Sequence, residues 1–291
     1  MTRSAPDPSP ATRPPARHRN WQRWMPLLGV VLFGAALWAL QREISRFRYS
    51  DFLDYIRDLS HWHLSLALAA AFGAYAILVA YDWLAIRYVG RRLSVWRTAF
   101  AAFVGYAFSM NIGHAVVSGG AVRMRLYPGW GFNAGEVSRV IGFNAVITVI
   151  GQCLVMGLLF TTVGLDLPEN LQQLPDSVIP AVGVASLAVV AAFVALVFFR
   201  KAPLRFRNWQ FSLPRWTVAL PAIAVAALDW SLFGLVLYAL MPTVEGLSLA
   251  HFLGIFMLAQ VLGIASMVPG GVGVFETVIV HLLPDNAPSE Q

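Results

Sequence analysis

Four apolar stretches in this chain are each long enough to cross a bilayer as a helix: Trp62–Ile86, Val140–Val163, Val178–Phe199 and Trp216–Leu240. A spanning helix needs about 20 mainly apolar residues. Inside hydrocarbon only a structure that satisfies its own backbone hydrogen bonds is tolerated. A further run, Met25–Leu40, has the length of a signal-peptide core. The "LQREISRF" that follows offers no small-x-small cleavage site, so a retained signal-anchor helix is expected there. Composition agrees: of 291 residues 58% are hydrophobic and 12% charged, and the mean hydropathy is +0.63. A soluble chain carries about 25% charged residues. The fold class is therefore an all-α polytopic integral membrane protein, and a soluble enzyme is excluded. The lone Cys153 rules out an internal disulfide framework and a Cys-rich zinc site.

Two domains follow from this reading. Residues 1–24 are Pro- and Arg-rich without an apolar run and read as a disordered basic tail. Residues 25–291 form the transmembrane domain. The basic residues, all arginine except Lys201, fall in short clusters between apolar runs. Such clusters are topology signals rather than a nucleic-acid face. Arg13, Arg17, Arg19 and Arg23 place the N-terminus in the cytoplasm. Arg87, Arg91, Arg92 and Arg97 mark the same side, as does the group from Arg200 to Arg215. The "GLDLPENLQQLPD" loop, free of Lys and Arg, reads as external. Residues 41–61 would put four arginines outside, but Glu43, Asp51, Asp54 and Asp58 balance them. The apolar spacing there suggests an amphipathic interfacial helix.

Residue 97 inside and residue 164 outside leave an odd number of crossings between them, yet two apolar runs lie there. The economical solution is that Thr98–Arg139 enters from the cytoplasm, breaks at Gly119-Gly120 and leaves on the same side. Leu249–Leu283 would enter from outside, break at Pro269-Gly270-Gly271 and return. The helices before them, Trp62–Ile86 and Trp216–Leu240, then run in opposite senses. This is an inverted-repeat helical bundle with two re-entrant, broken segments, and the binding site is expected where they meet. The second half lacks a closing helix after Leu283, so the chain reads as truncated before it.

Several polar residues stand out against this apolar background. Gly119 and Gly120 allow close backbone approach, and Arg123 and Arg125 follow with guanidinium forks suited to a phosphate. The competing reading is a tight turn with two arginines at headgroup level. Glu276, just after the Pro269, Gly270, Gly271 and Gly273 hinge, costs at least ~2.5 kcal/mol at membrane depth unless paired or hydrated. It would face a cavity, or cap the returning helix near its start. Asp229 lies mid-helix in "AALDWSLFG", where an acid needs a partner or a function. Asp82 lies one turn from Arg87, and a local ion pair is its simpler reading. Asn111, His114, Asn144, Gln152 and Gln260 read as interhelical hydrogen-bond formers. Trp21, Trp24, Trp62, Trp96, Trp209 and Trp216 read as interface anchors. There is no nucleophile elbow, HExxH or Walker A motif. No metal or cofactor is expected.

The stretches "YDWLAIRYVGRRL", "GYAFSMNIGH…SGGAVRMRLYPGWG" and "MVPGGVGVFE" resemble the transmembrane region of the lysylphosphatidylglycerol synthase/flippase family, the multiple peptide resistance factor group. The resemblance runs over about residues 60–283. It implies a bacterial cytoplasmic-membrane protein that moves lysyl-phosphatidylglycerol from the inner to the outer leaflet, giving resistance to cationic antimicrobial peptides. Asp82, Arg123, Glu276 and Asp229 would be its functional polar positions, with Arg123 and Arg125 on the lipid phosphate and the three acids on ammonium groups. The expected partners are anionic and aminoacylated phospholipids, with a synthase domain or subunit and homo-oligomerisation left open. The family's further helix after the VFE motif, and its soluble lysyltransferase domain, are absent from this sequence. Whether a longer parent is a lysyltransferase stays open. The alternative is a non-transporting scaffold that presents lipid to such an enzyme.

Overall fold

The computed structural model describes residues 59–112, 115–163, 175, 177–200, 204–206, 209–241, 244, 246–266, 271 and 273–283. The basic tail, the Met25–Leu40 run, the amphipathic stretch up to residue 58 and most of the acidic loop lie outside the described residues. So do Pro269 and Gly270. The chain divides into two units, 1–59 and 60–291, and the second carries everything that follows.

Among the described residues eight α-helices build this unit: α1 (His61–Tyr88), α2 (Val95–Ile112), α3 (Ala115–Leu126), α4 (Ala134–Thr162), α5 (Val178–Phe199), α6 (Trp216–Leu240), α7 (Leu249–Ala265) and α8 (Val274–Leu282), with a 3-10 turn at Tyr127–Trp130 after α3. A two-stranded antiparallel ribbon, β1 (Leu204–Phe206) with β2 (Trp209–Phe211), joins α5 to α6. Among the described residues, helices α1, α4, α5 and α6 are long and apolar enough to cross a membrane. The fold is an all-α membrane protein with this one short ribbon.

The spans match the apolar runs closely, with an informative exception in α4. It begins six residues before the apolar run, at Ala134, because a capping box starts it there. The Asn133 side chain accepts from the Glu136 N–H at 2.9 Å, and Glu136 accepts from the Asn133 N–H at 2.9 Å. Two backbone donors that helix geometry would orphan are thereby satisfied.

One end of the bundle gathers the arginines. The Tyr88 hydroxyl at the end of α1 donates to the Ser212 carbonyl ahead of α6. Arg91, in the α1–α2 turn, donates to the Gly131 carbonyl at 2.8 Å and forms a two-point ion pair with Glu136. Phe198 of α5 stacks on Trp216 of α6, their centroids 6.3 Å apart. These ties bring Arg87, Arg91, Arg92, Arg97, Arg125, Arg139, Arg200 and Arg215 to one end, as a membrane protein with a basic face requires.

The same ties fix the path of the first interrupted segment. Helix α2 starts and α3 finishes at the basic end, and the two pack against each other. At 12 residues α3 is about 18 Å long, well short of a hydrocarbon core of about 30 Å. The break is not at Gly119-Gly120, contrary to the expectation from sequence: both lie inside α3. Paired glycines lower helix propensity by only about 1 kcal/mol each, and packing outweighs that. Gly120 lies buried inside α3, where an added Cβ would meet Ile141 of α4 at an ordinary contact distance of 3.4 Å.

The α7–α8 pair starts at the other end of the bundle. The Tyr238 hydroxyl of α6 donates to the Leu247 carbonyl at 3.0 Å, which anchors the start of α7 there. The nine-residue α8 folds back on α7. Gly271 and Gly273 hold left-handed backbone at φ 66° and 85°. At Gly271 a Cβ would also meet Gly263 at 3.2 Å. Two apolar cores result. One joins α1, α4 and α6 around Tyr81, Phe143 and Ala222, and the other joins α7, α8 and the far ends of α4 and α6 around Phe256. Helices cross tightly where side chains vanish: a Cβ on Gly151 of α4 would lie 2.2 Å from that of Ala226 on α6.

Candidate functional site

A cavity of about 560 Å³ lies between the helices, walled by α1, α2, α3, α4, α6 and α7. Both interrupted segments reach it: α3 contributes Gly120 and Arg123, and α7 contributes Gln260. Its polar lining is completed by Tyr81, Tyr106, Asn144, Thr148 and Asp229. Its mouth is apolar. Tyr75, Val149 and Phe233 line it, yet each is more than two-fifths exposed near the middle of its helix. These three side chains therefore border both the cavity and the outer surface of the bundle.

Its most ordered feature is an ion pair. Asp82, fully buried, accepts from Arg123 Nε at 3.1 Å and from Nη2 at 2.8 Å. The Tyr127 hydroxyl donates to the same carboxylate at 2.9 Å and Asn144 Nδ2 at 2.7 Å. Four donors satisfy one carboxylate, which is what a buried charge requires. Arg123 donates through Nη1 to the Gly119 carbonyl at 3.3 Å, and its guanidinium carbon lies 4.8 Å from the Tyr106 ring centroid. Opposite, a Cβ at Gly105 would stand 3.3 Å from Nη1, so the absent side chain lets α2 close over the arginine. This cluster staples α3 to α1 and α4.

The pair changes the electrostatics anticipated from sequence. Asp82 bonds to Arg123, 41 residues away, and not to Arg87, whose guanidinium instead rests 3.9 Å over the Trp83 ring. Arg123 thus enters the cavity with its charge already balanced. Of its five N–H donors, three are engaged with Asp82 and Gly119 among the described residues.

Asp229 differs. It lines the same cavity, partly buried, and no cation or hydrogen-bond donor reaches it among the described residues. Two further polar atoms on the cavity wall, Tyr81 Oη and Asn144 Oδ1, are buried without a partner among the described residues. Buried polar groups nearly always find partners, so such orphans mark where water or a ligand belongs.

The other candidates lie elsewhere. Arg125 is exposed at the basic end, outside the cavity lining. Glu276 is exposed in the first turn of α8 and accepts from the Gly273 N–H at 2.6 Å, which is the helix-capping geometry. Gly119 and Gly120 are helical, so their amides are spent within α3. Gly271 and Gly273 shape the turn into α8. The carboxylate of Asp82 has no free face for an ammonium group. Sequence reading gave no role to Tyr81, Tyr106 or Tyr127. An apolar helix offers no signal for them beyond their hydroxyls, and helix packing alone aims those inward. Glu136 was likewise passed over, although N-x-x-E before an apolar run is a legible capping box.

Comparison with known proteins sharpens the assignment. An "Uncharacterized protein slr0712" of Synechocystis is 35% identical over 264 residues, covering 91% of this chain and 82% of its own. "Inner membrane protein YbhN" of Escherichia coli K12 is 24% identical over 269 residues, 91% of this chain and 83% of that protein. A "Phosphatidylglycerol lysyltransferase" of Staphylococcus aureus is 23% identical over 253 residues, 86% of this chain but only 28% of that enzyme. Residues 27–291 match the family described as "Lysylphosphatidylglycerol synthase TM region". The buried Asp82–Arg123 pair and the polar cavity beside it are thus features of a membrane protein with a lipid-related role, and the chain belongs to the lysylphosphatidylglycerol synthase transmembrane-region family.

Proposed function

We propose that this chain translocates aminoacylated phosphatidylglycerol, with lysyl-phosphatidylglycerol as its cargo, from the inner to the outer leaflet of the bacterial cytoplasmic membrane. One observation carries the reading. A cavity between the helices holds a self-neutralised Asp82–Arg123 pair and, beside it, the acid Asp229 without a counterion among the described residues. A lysyl headgroup has two ammonium groups and one phosphate, hence a net positive charge. Asp229 takes an ammonium, Asn144 Oδ1 accepts another N–H, and the phosphate meets the Tyr81 hydroxyl and the Arg123 guanidinium. Unmodified phosphatidylglycerol is an anion and meets the same carboxylate with the opposite sign. At about 4 Å and an effective dielectric of 20, each such contact is worth roughly 4 kcal/mol, enough to select cargo.

In this reading the α2–α3 and α7–α8 hairpins are re-entrant from opposite faces, and the N-terminus is cytoplasmic. Non-helical backbone at membrane depth is tolerated where it lines a polar cavity. The acyl chains remain in the bilayer at the mouth formed by Tyr75, Val149 and Phe233. Display of lysyl-phosphatidylglycerol outside lowers surface negative charge and so weakens cationic antimicrobial peptides.

The test is leaflet exchange in proteoliposomes of the full chain carrying lysyl-phosphatidylglycerol. Asp229→Asn, which keeps size and hydrogen bonding, should slow exchange more than tenfold while the melting temperature holds. Exchange that survives Asp229→Asn would remove the assigned ammonium site. Lipid bound without exchange by the unaltered chain would favour the scaffold reading instead.

A further inference from the structure

The basic end of α1 carries a second arrangement that the cavity does not use. A smaller hollow of about 290 Å³ is lined by Trp83, Ile86, Arg87, Arg91, Arg92 and Leu93. Arg91 is committed to Glu136 and Gly131, which fixes its position and balances its charge. The Arg87 guanidinium carbon lies 3.9 Å from the Trp83 ring centroid. Arg87 and Arg92 meet no carboxylate among the described residues, so the hollow keeps two unbalanced guanidinium groups over an apolar floor at Ile86. Planar N–H forks around a small hollow suit the oxygens of a phosphate.

An apolar groove of about 360 Å³ lies alongside, between α1 and α2, lined by Tyr75, Val79, Trp96, Phe100 and Phe103 among others. Tyr75, Val79, Trp83 and Arg87 recur every four residues and so form one stripe along α1. The stripe runs from the arginine hollow, along the groove, to Tyr75, which also lines the central cavity. Trp96, four-fifths exposed at the start of α2, stands at the junction, where an amphipathic ring fits the headgroup level.

We infer that an anionic diacyl phospholipid docks here, its phosphodiester in the Arg87–Arg91–Arg92 hollow and one acyl chain in the α1–α2 groove. Charge separates this site from the cavity, since its two free guanidinium groups take an anion and Asp229 takes a cation. The inference does not depend on lipid translocation. A soluble phosphate compound shares the headgroup chemistry but leaves the groove empty, and the experiment distinguishes the two.

The full chain is purified and titrated with dioleoyl-phosphatidylglycerol and dioleoyl-phosphatidylcholine, reading bound lipid by native mass spectrometry. An arginine near an anionic surface is worth about fivefold in affinity. Arg87→Gln with Arg92→Gln should therefore weaken phosphatidylglycerol binding about 25-fold and leave phosphatidylcholine almost unchanged. Both residues are exposed, so the fold should hold, and Arg87→Lys with Arg92→Lys should restore most of the binding. Ala99→Phe, at a residue of the groove wall, fills the groove and should weaken both lipids. Undiminished phosphatidylglycerol binding in the double glutamine variant overturns the site. Displacement of the lipid by millimolar inorganic phosphate, or indifference to Ala99→Phe, overturns the acyl-chain half and leaves only an anion site.

Discussion

The Asp82–Arg123 pair should behave as a structural staple, and removing one half should cost far more than removing both. Asp82 is fully buried, and the side chain of Arg123 is 6% exposed. With Arg123→Ala the carboxylate loses its two guanidinium contacts, at 2.8 and 3.1 Å, and keeps Tyr127 and Asn144. A unit-charge contact at about 4 Å and an effective dielectric of 20 is worth roughly 4 kcal/mol, and breaking one side of a buried pair costs about 3–5 kcal/mol. For a chain of this size each kcal/mol lowers the melting temperature by about 2–4 °C, so the single variant should melt roughly 6–20 °C lower. Asp82→Asn should fall in the same range, because it leaves the guanidinium buried without its counter-charge. The double variant Asp82→Asn/Arg123→Gln removes both charges together and should melt above either single variant. The measurement is thermal unfolding in one detergent at one scan rate, since the apparent midpoint of a membrane protein is partly kinetic. Single variants within 2 °C of the parent, or additive losses in the double variant, would refute a buried pair of this kind.

Gly151→Val should abolish recovery of a monodisperse protein, because even its first carbon would sit 2.2 Å from the Ala226 Cβ at the α4–α6 crossing. Overpacking of a close-packed core already costs about 1–3 kcal/mol in milder cases, and size-exclusion chromatography would show it. Glu276→Gln should lower the melting temperature by only a few degrees, since it weakens a cap worth about 1 kcal/mol. It should leave lysyl-phosphatidylglycerol binding unchanged, as Glu276 is exposed and outside the cavity lining. A binding loss of tenfold or more in Glu276→Gln would show that this carboxylate contacts the lipid.

Much of the architecture was legible in one dimension. Apolar runs of spanning length admit only helices, because hydrocarbon cannot hydrogen-bond an open backbone. The spans α5 and α6 accordingly begin and end where the runs do. Arginine clusters separate the two ends of the bundle, and a parity count over those clusters already calls for a hairpin between residues 97 and 139. What charge and hydropathy cannot supply is pairing across distance. Asp82 has Arg87 one turn away in sequence, yet α3 delivers Arg123 to it from 41 residues on. Only the packing of α1 against α3 and α4 makes that choice. It makes Asp229 and Arg123 different kinds of charge, one without a counterion among the described residues and one already balanced, although both read as lone polar residues in apolar helices. Gly119 and Gly120 show the same limit. Glycine permits a turn and is equally tolerated inside a packed helix, and both residues end up buried within α3. The sequence by itself determined that helices span and which end is basic, because those follow from local solvation. The tertiary structure alone decided which charges are spent on each other and which remain for a ligand, because that depends on distances that no local rule contains.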